Sequence, residues 1–302
     1  MNHILLTGSN GFIGRSILKG SQGRLIRRLV RGHESHDSNT FNIPRLDRYS
    51  DFSGAFENID AVVHLAALAH SSTFSDDEIM EVNYHATINL AKQAAAAGVK
   101  SFIFISSIGV NCQYTLKPIS EQSTTNPNNL YAKSKLLAEN ELLKLKSQID
   151  IIIIRPPLVY GEGAPGNFAS LVKLIKLLPI LPICKENNFK SFISIHNLID
   201  FIFFCLDSDN VKSEIYMISD DRDCSTKSFM KAIAKGLGVR RIFIPLPNYI
   251  FKFICRLTNK EKIYIQLCMD LQISIDKVKK QLKWIPNKNS MEQTMSKLKK
   301  EK

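Results

Sequence analysis

Short apolar runs and amphipathic windows alternate along the first half of the chain. His3–Gly8 (HILLTG), Arg24–Arg31 (RLIRRLVR), Asp60–Ala67 (DAVVHLAA), Ser101–Ser107 (SFIFISS) and Ile149–Arg155 (IDIIIIR) are short, apolar or β-branched runs, which predicts strands. Between them, windows 12–19, 76–97 and 130–147 have helical patterns. The isoleucines at 151–154 show no polar alternation, as expected of a strand buried on both faces. Strand and helix in alternation predict an α/β fold, a doubly wound parallel sheet with helices on both faces. After Arg155 the pattern changes. RPPLVYGEGAPG is dense in Pro and Gly and reads as a loop. Helix patterns then occupy 167–178, 196–206 and 226–237, with strand candidates at 190–195 and 214–219. The pattern divides the chain into 1–155 and a smaller mixed lobe, 156–302, partly interleaved with the first.

Gly8, Gly11 and Gly14 follow the first predicted strand and open the first helix, in TGSNGFIG. One glycine permits the tight turn, one lets backbone approach a pyrophosphate, and one allows close helix–strand packing over an anion-binding helix N-terminus. This places a Rossmann-like dinucleotide site in region 1–155; a glycine-rich turn with no ligand is the alternative. In the helix predicted over 130–147, YAKSK sets Tyr131 four residues before Lys135, on one face. A phenol titrates near 10 and a nearby ammonium favours phenolate, so the pair suits proton transfer. The bland reading is a solvated helix face.

The G-x-x-G-x-x-G spacing and YAKSK resemble the extended branch of the short-chain dehydrogenase/reductase superfamily, the NAD-dependent epimerase/dehydratase family. So do HLAA (64–67), VNYHATINL (82–90), FISSIGV (104–110), RPPLVYG (155–161) and SFISIHNLID (191–200). The resemblance spans essentially the whole chain. It implies Tyr131 as acid/base, Lys135 as its partner and holder of the nicotinamide ribose, and Ser107 as the third member, with Ser106 competing. It implies cofactor contacts from Gly8, Asn10, Gly11, Phe12, Ile13 and Gly14, from Leu65, Ala66 and Ala67, and from Asn83 and Pro156. It makes His64 structural. Region 156–302 becomes the substrate lobe, with Asn167 and Lys190 against a UDP-sugar. There are departures: Ala86 stands at a usual Gly, Leu158 where some relatives carry Asn, and Asp47 is out of register for adenine.

Charge bears on the cofactor. An acid after the second strand would bind a 2′-hydroxyl; Arg there accommodates a 2′-phosphate. Arg31 occupies that strand end, with Arg15 as a second cation and Glu34 nearby. The expectation is NADP(H), with NAD(H) the alternative. Exchangeable NADPH suits a reductase acting at C4 of a UDP-linked 4-keto-6-deoxy-N-acetylhexosamine in O-antigen biosynthesis. The other readings are a UDP-hexose or UDP-N-acetylhexosamine 4-epimerase that retains NAD, and a non-catalytic dinucleotide sensor. A 4,6-dehydratase is disfavoured because Ile108 and Gly109 follow Ser107 where an Asp-Glu pair is usual.

The 302 residues are 44% hydrophobic and 23% charged, the composition of a globular chain. No signal peptide or run long enough to span a bilayer is evident. Six scattered cysteines lack metal-ligand spacing, so they read as reduced thiols in a cytoplasmic protein with no metal. Half of the net charge of +12 lies in 271–302, where nine Lys face three acids. Without aromatic interleaving this excludes a nucleic-acid motif. Peripheral membrane contact stays open for this tail. A homodimer is the expected assembly.

Overall fold

A computed structural model describes residues 1–21, 23–32, 39–69, 74–184 and 188–300. The elements run β1 (His3–Thr7), α1 (Phe12–Lys19), β2 (Leu25–Arg31), β3 (Thr40–Ile43), β4 (Ala61–His64), α2 (Asp76–Met80), α3 (Thr87–Ala96), β5 (Ser101–Ile105), α4 (Leu130–Leu142) and β6 (Asp150–Arg155). Then come β7 (Leu158–Tyr160), α5 (Gly166–Leu177), β8 (Ile180–Cys184), β9 (Phe192–Ser194), α6 (Ile195–Asp207), β10 (Ile215–Met217), α7 (Thr226–Leu237), β11 (Ile242–Leu246), α8 (Asn248–Leu257), α9 (Glu261–Cys268) and α10 (Ser290–Ser296).

Seven strands form one sheet in the order β10-β6-β5-β4-β1-β2-β3. The pairs β1/β2, β2/β3, β1/β4, β4/β5 and β5/β6 are all parallel. This is the expected doubly wound sheet, and its order reverses direction between β1 and β4. Alternate strand residues point to opposite faces, and both faces are buried. Leu5, Val62, Phe102, Phe104 and Ile153 pack with Ala91 and Leu142 on one side. Ile4, Val63, Ile103, Ile152 and Ile154 are buried on the other.

Four strands differ from expectation. β3 is four residues long and β7 only three, inside the segment read as loop. β8 and β11 contain Pro182 and Pro245, and they pair with each other in a separate two-stranded sheet. Proline removes a ladder donor, which argues against a strand; a sheet with two edges tolerates it. The helix expected over 76–97 holds a π segment, Glu81–Ala86, between α2 and α3. Its start is fixed by a capping box between Ser75 and Glu78.

The chain divides into two compact units. The first comprises Met1–Asn111, Thr124–Arg155 and Ile199–Tyr216; the second Cys112–Ser123, Pro156–Leu198 and Met217–Lys302. In the second, Phe192 stacks on Phe229 at 3.9 Å, and Tyr160 donates to Asp220 Oδ2 at 2.6 Å. The cysteine reading needs correction here. Cys184 and Cys268 are joined as a disulfide with Cα atoms 5.7 Å apart, so the six cysteines are not all free thiols. They lie 84 residues apart, and only the fold brings the ends of β8 and α9 together. In the basic tail, Met291, Met295 and Leu298 are buried.

Phe102, fully buried in β5, offers a test of the core. Phe102→Ala should cost about 3–5 kcal/mol of unfolding free energy in chemical denaturation. A loss below about 1 kcal/mol would mean that the sheet is not packed there as described.

Candidate active site

The carboxyl ends of β1, β2, β3 and β4 open into a groove of about 910 Å³ in the first unit. Thr7 to Gly11, Leu29 to Gly32, Pro44 to Asp47 and Leu65 to Leu68 line it. Its floor needs glycine. Gly8 has φ +68°, and a Cβ there would sit 2.8 Å from the Ala66 nitrogen. A Cβ on Gly14 would fall 2.3 Å from the Gly8 oxygen and 2.6 Å from Ser9 Cα. These are backbone atoms that cannot step aside. Gly11 caps α1 without a side-chain hydrogen bond, which leaves the first amides of the helix to an anion. Asn10, Phe12 and Ile13 complete the loop and first turn. The Ser9 hydroxyl lines the groove, is buried, and has no hydrogen-bond partner among the described residues. Sequence reading passed over Ser9, because only burial marks it. A glycine floor, open amides and an orphan hydroxyl fit a dinucleotide's pyrophosphate. Arg31 is exposed at the end of β2 and lines the same groove. Arg15 Nη1 donates to the Asn10 carbonyl at 2.7 Å. Glu34 lies outside the described residues.

A buried relay ties this loop to α4. Thr7 Oγ1 accepts from the amides of Leu65 and Ala66 at 3.1 Å and meets His64 Nδ1 at 2.8 Å. His64 Nε2 lies 2.9 Å from Thr87 Oγ1, whose hydroxyl donates to the Asn83 carbonyl. Two accepted amide bonds leave Thr7 to donate to Nδ1, which assigns the proton to Nε2. Burial, with Lys135 second, pushes His64 down to about 3, so the ring is neutral. Asn83, in the π segment, accepts from Leu68 N–H and donates to the Leu68 carbonyl and Ser134 Oγ. Ser134 in turn donates to the Tyr131 carbonyl. His64 and Asn83 thus brace the site, and Ala67 lies between the braced points.

Asn129 starts α4 by accepting from the Ala132 amide. Lys135, 1% exposed, donates to the Ile105 carbonyl at 2.8 Å and lies 4.3 Å above the Phe104 ring. Its Nζ is 6.0 Å from the centre of the Tyr131 ring. Ser107 Oγ accepts from the Gly109 amide at 3.1 Å. Ser106, the competitor, donates to Glu139 Oε1 and is buried. Glu139 is forked by Arg155, whose Nη1 also donates to Asn111 Oδ1 at 3.0 Å. Burial changes the expected electrostatics. Desolvation pushes the Tyr131 phenol up to about 12 and the Lys135 amine down to about 7, with Glu139 opposing the latter. The sequence could show the pair, not the burial of its lysine.

Ser107, Tyr131 and Lys135 therefore share the first unit with the glycine groove. Pro156, Asn167 and Lys190 belong to the second. Pro156 is buried directly after Arg155. Asn167 is exposed and accepts from Gln266 at 3.5 Å. Lys190 is buried, exchanges backbone hydrogen bonds with Cys224, and is pushed down to about 8 by desolvation. Among the described residues, no cluster of His, Cys, Asp or Glu could hold a metal ion.

Residues 4–219 match the model of the NAD dependent epimerase/dehydratase family. A protein named UDP-glucose 4-epimerase from Vibrio cholerae is 35% identical over 94% of this chain and 90% of its own length. N-acetyl-alpha-D-glucosaminyl-diphospho-ditrans,octacis-undecaprenol 4-epimerase from Escherichia coli O157:H7 is 26% identical over 86% of this chain and 82% of its own. In fold, the chain resembles a short-chain dehydrogenase/reductase superfamily protein from Agrobacterium tumefaciens with bound NAD. The TM-score is 0.76 at 18% identity, covering 98% of this chain and 96% of that one.

The Lys135 shift has a defined sign. Its amine titrates near 7 when folded against 10.5 ordinarily. Between those values the unfolded chain binds more protons, so stability rises with pH. Below about 7 the cost of the buried charge is fully present. Lys135→Met should accordingly gain most over wild type, in thermal unfolding of the cofactor-free protein, below that pH. Its advantage should shrink as pH climbs towards 10.5. A difference that stays constant across the interval would show an unshifted amine.

Proposed function

The chain belongs to the NAD dependent epimerase/dehydratase family, and from that footing we propose that it transfers hydride at C4 of a UDP-linked sugar, with Tyr131 as the acid/base. The observation that carries this reading is the placement of Ser107, Tyr131 and Lys135 in one unit with the glycine groove. The groove holds the dinucleotide through Gly8, Ser9 and the α1 amides. When bound, the nicotinamide supplies the hydride donor or acceptor. Lys135 holds the adjoining ribose, Ser107 hydrogen-bonds the sugar oxygen, and Tyr131 moves the proton on that oxygen. Asn167 and Lys190 of the second unit serve the UDP-sugar, Lys190 as the cation for its diphosphate. UDP-sugar chemistry of this kind belongs to the cytoplasm and feeds surface-polysaccharide synthesis.

Two directions of use remain, and each has its support. Arg31 in the groove favours NADPH, whose exchange suits reduction of a 4-keto-6-deoxy-N-acetylhexosamine. The names of the Vibrio and Escherichia relatives favour 4-epimerisation, in which hydride returns to the opposite face. We place reduction first. The purified protein separates the two: a reductase oxidises added NADPH only with the 4-keto sugar present, and an epimerase carries bound NAD and interconverts 4-hydroxyl epimers without added cofactor.

Tyr131→Phe keeps the ring and deletes the proton. Turnover should fall by about 10²–10⁴ with cofactor affinity nearly unchanged; a variant above about a tenth of wild-type turnover would remove Tyr131 from the acid/base role. Arg31→Asp should lower the ratio of NADP(H) to NAD(H) affinity by on the order of tenfold or more, since a charged hydrogen bond contributes about 1.5–3 kcal/mol. Titration of both cofactors into both proteins checks it, and an unchanged ratio would return the preference to NAD and the reading to the epimerase.

A further inference from the structure

Within the second unit, α8 is apolar on two sides. Phe251 and Cys255 are buried with Cys184 and Cys268. Tyr249, Phe253 and Leu257 follow one another at four-residue steps on the opposite face. They are 74%, 62% and 69% exposed. Apolar helix faces are normally covered; of the two on α8, only the Phe251/Cys255 face is. α8 packs against the ends of the β8/β11 ribbon at Cys184 and Leu246, and the ribbon has an exposed apolar face of its own. There Ile180 is paired with Ile242 and Pro182 with Ile244, and all four side chains are exposed. Arg241 ties this ribbon to the end of α5 by donating to the carbonyls of Ile175 and Lys176.

The charge of these elements is predominantly positive. Segments 166–184 and 240–268 hold eight Lys and Arg against one acid, Glu261. Lys252 and Arg256 flank the exposed apolar row of α8, and Lys260 and Lys262 open α9; all four are exposed. A two-fold dimer through this face would set the patch on itself, cation towards cation. An anionic surface with an apolar interior has the complementary chemistry: phosphates for the cations, acyl chains for Tyr249, Phe253 and Leu257.

We infer that the α8–α9 face with the β8/β11 ribbon docks on an anionic phospholipid bilayer. Attachment is peripheral: no described helix is long and apolar enough to cross a membrane. The surface is distinct from the basic tail, whose apolar residues are packed inside. It also stands whichever sugar the enzyme acts on.

Co-sedimentation of the full chain with vesicles tests this. One set is phosphatidylcholine alone; the other contains phosphatidylglycerol. Binding should be confined to the anionic vesicles and weaken as salt rises. Each cation near such a surface contributes about 1 kcal/mol, so Lys252→Glu with Arg256→Glu should reduce partitioning at least ~30-fold. Phe253→Ser with Leu257→Ser should also abolish binding, with the charges intact. All four side chains are exposed, so thermal midpoints should stay near wild type. Equal binding to both vesicle types, or none to either, overturns the proposal on the wild type alone. So does light scattering that shows a dimer undone by the Phe253/Leu257 variant, because that face would then cover a second copy.

Discussion

The buried ion pair between Glu139 and Arg155 fastens α4 to the sheet. Arg155 closes β6, and Glu139 follows Lys135 by four residues and Tyr131 by eight, along one side of α4. The same carboxylate takes the Ser106 hydroxyl at the end of β5. Both charged side chains are almost fully buried. Such a pair adds little net stability over an apolar substitute, yet losing one partner leaves an uncompensated charge and costs about 3–5 kcal/mol. Its consequence is position. It fixes the end of β5, from which Ile105 offers its carbonyl to Lys135 and Ser107 projects next to the already engaged Ser106.

A second buried system does for the glycine loop what the ion pair does for α4. Thr7, His64, Thr87 and Asn83 pass hydrogen bonds from the end of β1 to the carbonyl of Tyr131, through Ser134. A neutral imidazole is essential to it, since a second ring proton would face the Thr7 hydroxyl that donates there. Burial enforces that neutrality. The strands concerned, β1 and β4, are neighbours where the sheet order reverses, which is where open α/β sheets bind ligands. The glycine loop and α4 are thus tied to one sheet, and the spacing between Gly8 and Tyr131 is set by it.

What was legible in the sequence was local. Gly8 and Gly14 declare themselves by spacing, and the clash of any Cβ with neighbouring backbone explains why. Tyr131 and Lys135 are legible because a helix needs only four residues to bring them together. The long apolar strands were readable for the same reason. β3, β8 and β11 were not, being short or interrupted by proline and supported by partners distant in sequence. Ser9 as an orphan hydroxyl, Glu139 as the partner of Arg155, and the Cys184–Cys268 bond are products of tertiary contact. The resemblance to a family named Ser107; that Glu139 holds the neighbouring Ser106 is likewise a product of tertiary contact.

Desolvation decides what each lysine can do, and sequence composition does not record it. Lys135 and Lys190 are buried, and their amines are pushed down to about 7 and about 8. Near neutral pH such groups sit close to the balance between charged and neutral, so a nearby negative or positive charge changes their state cheaply. Lys252 and Arg256 are exposed beside apolar side chains and stay hydrated until another surface replaces the water. The net charge of +12 counts all of these alike. Burial separates them: the first kind is suited to respond to a small ligand's charge, the second to meet an extended anionic surface.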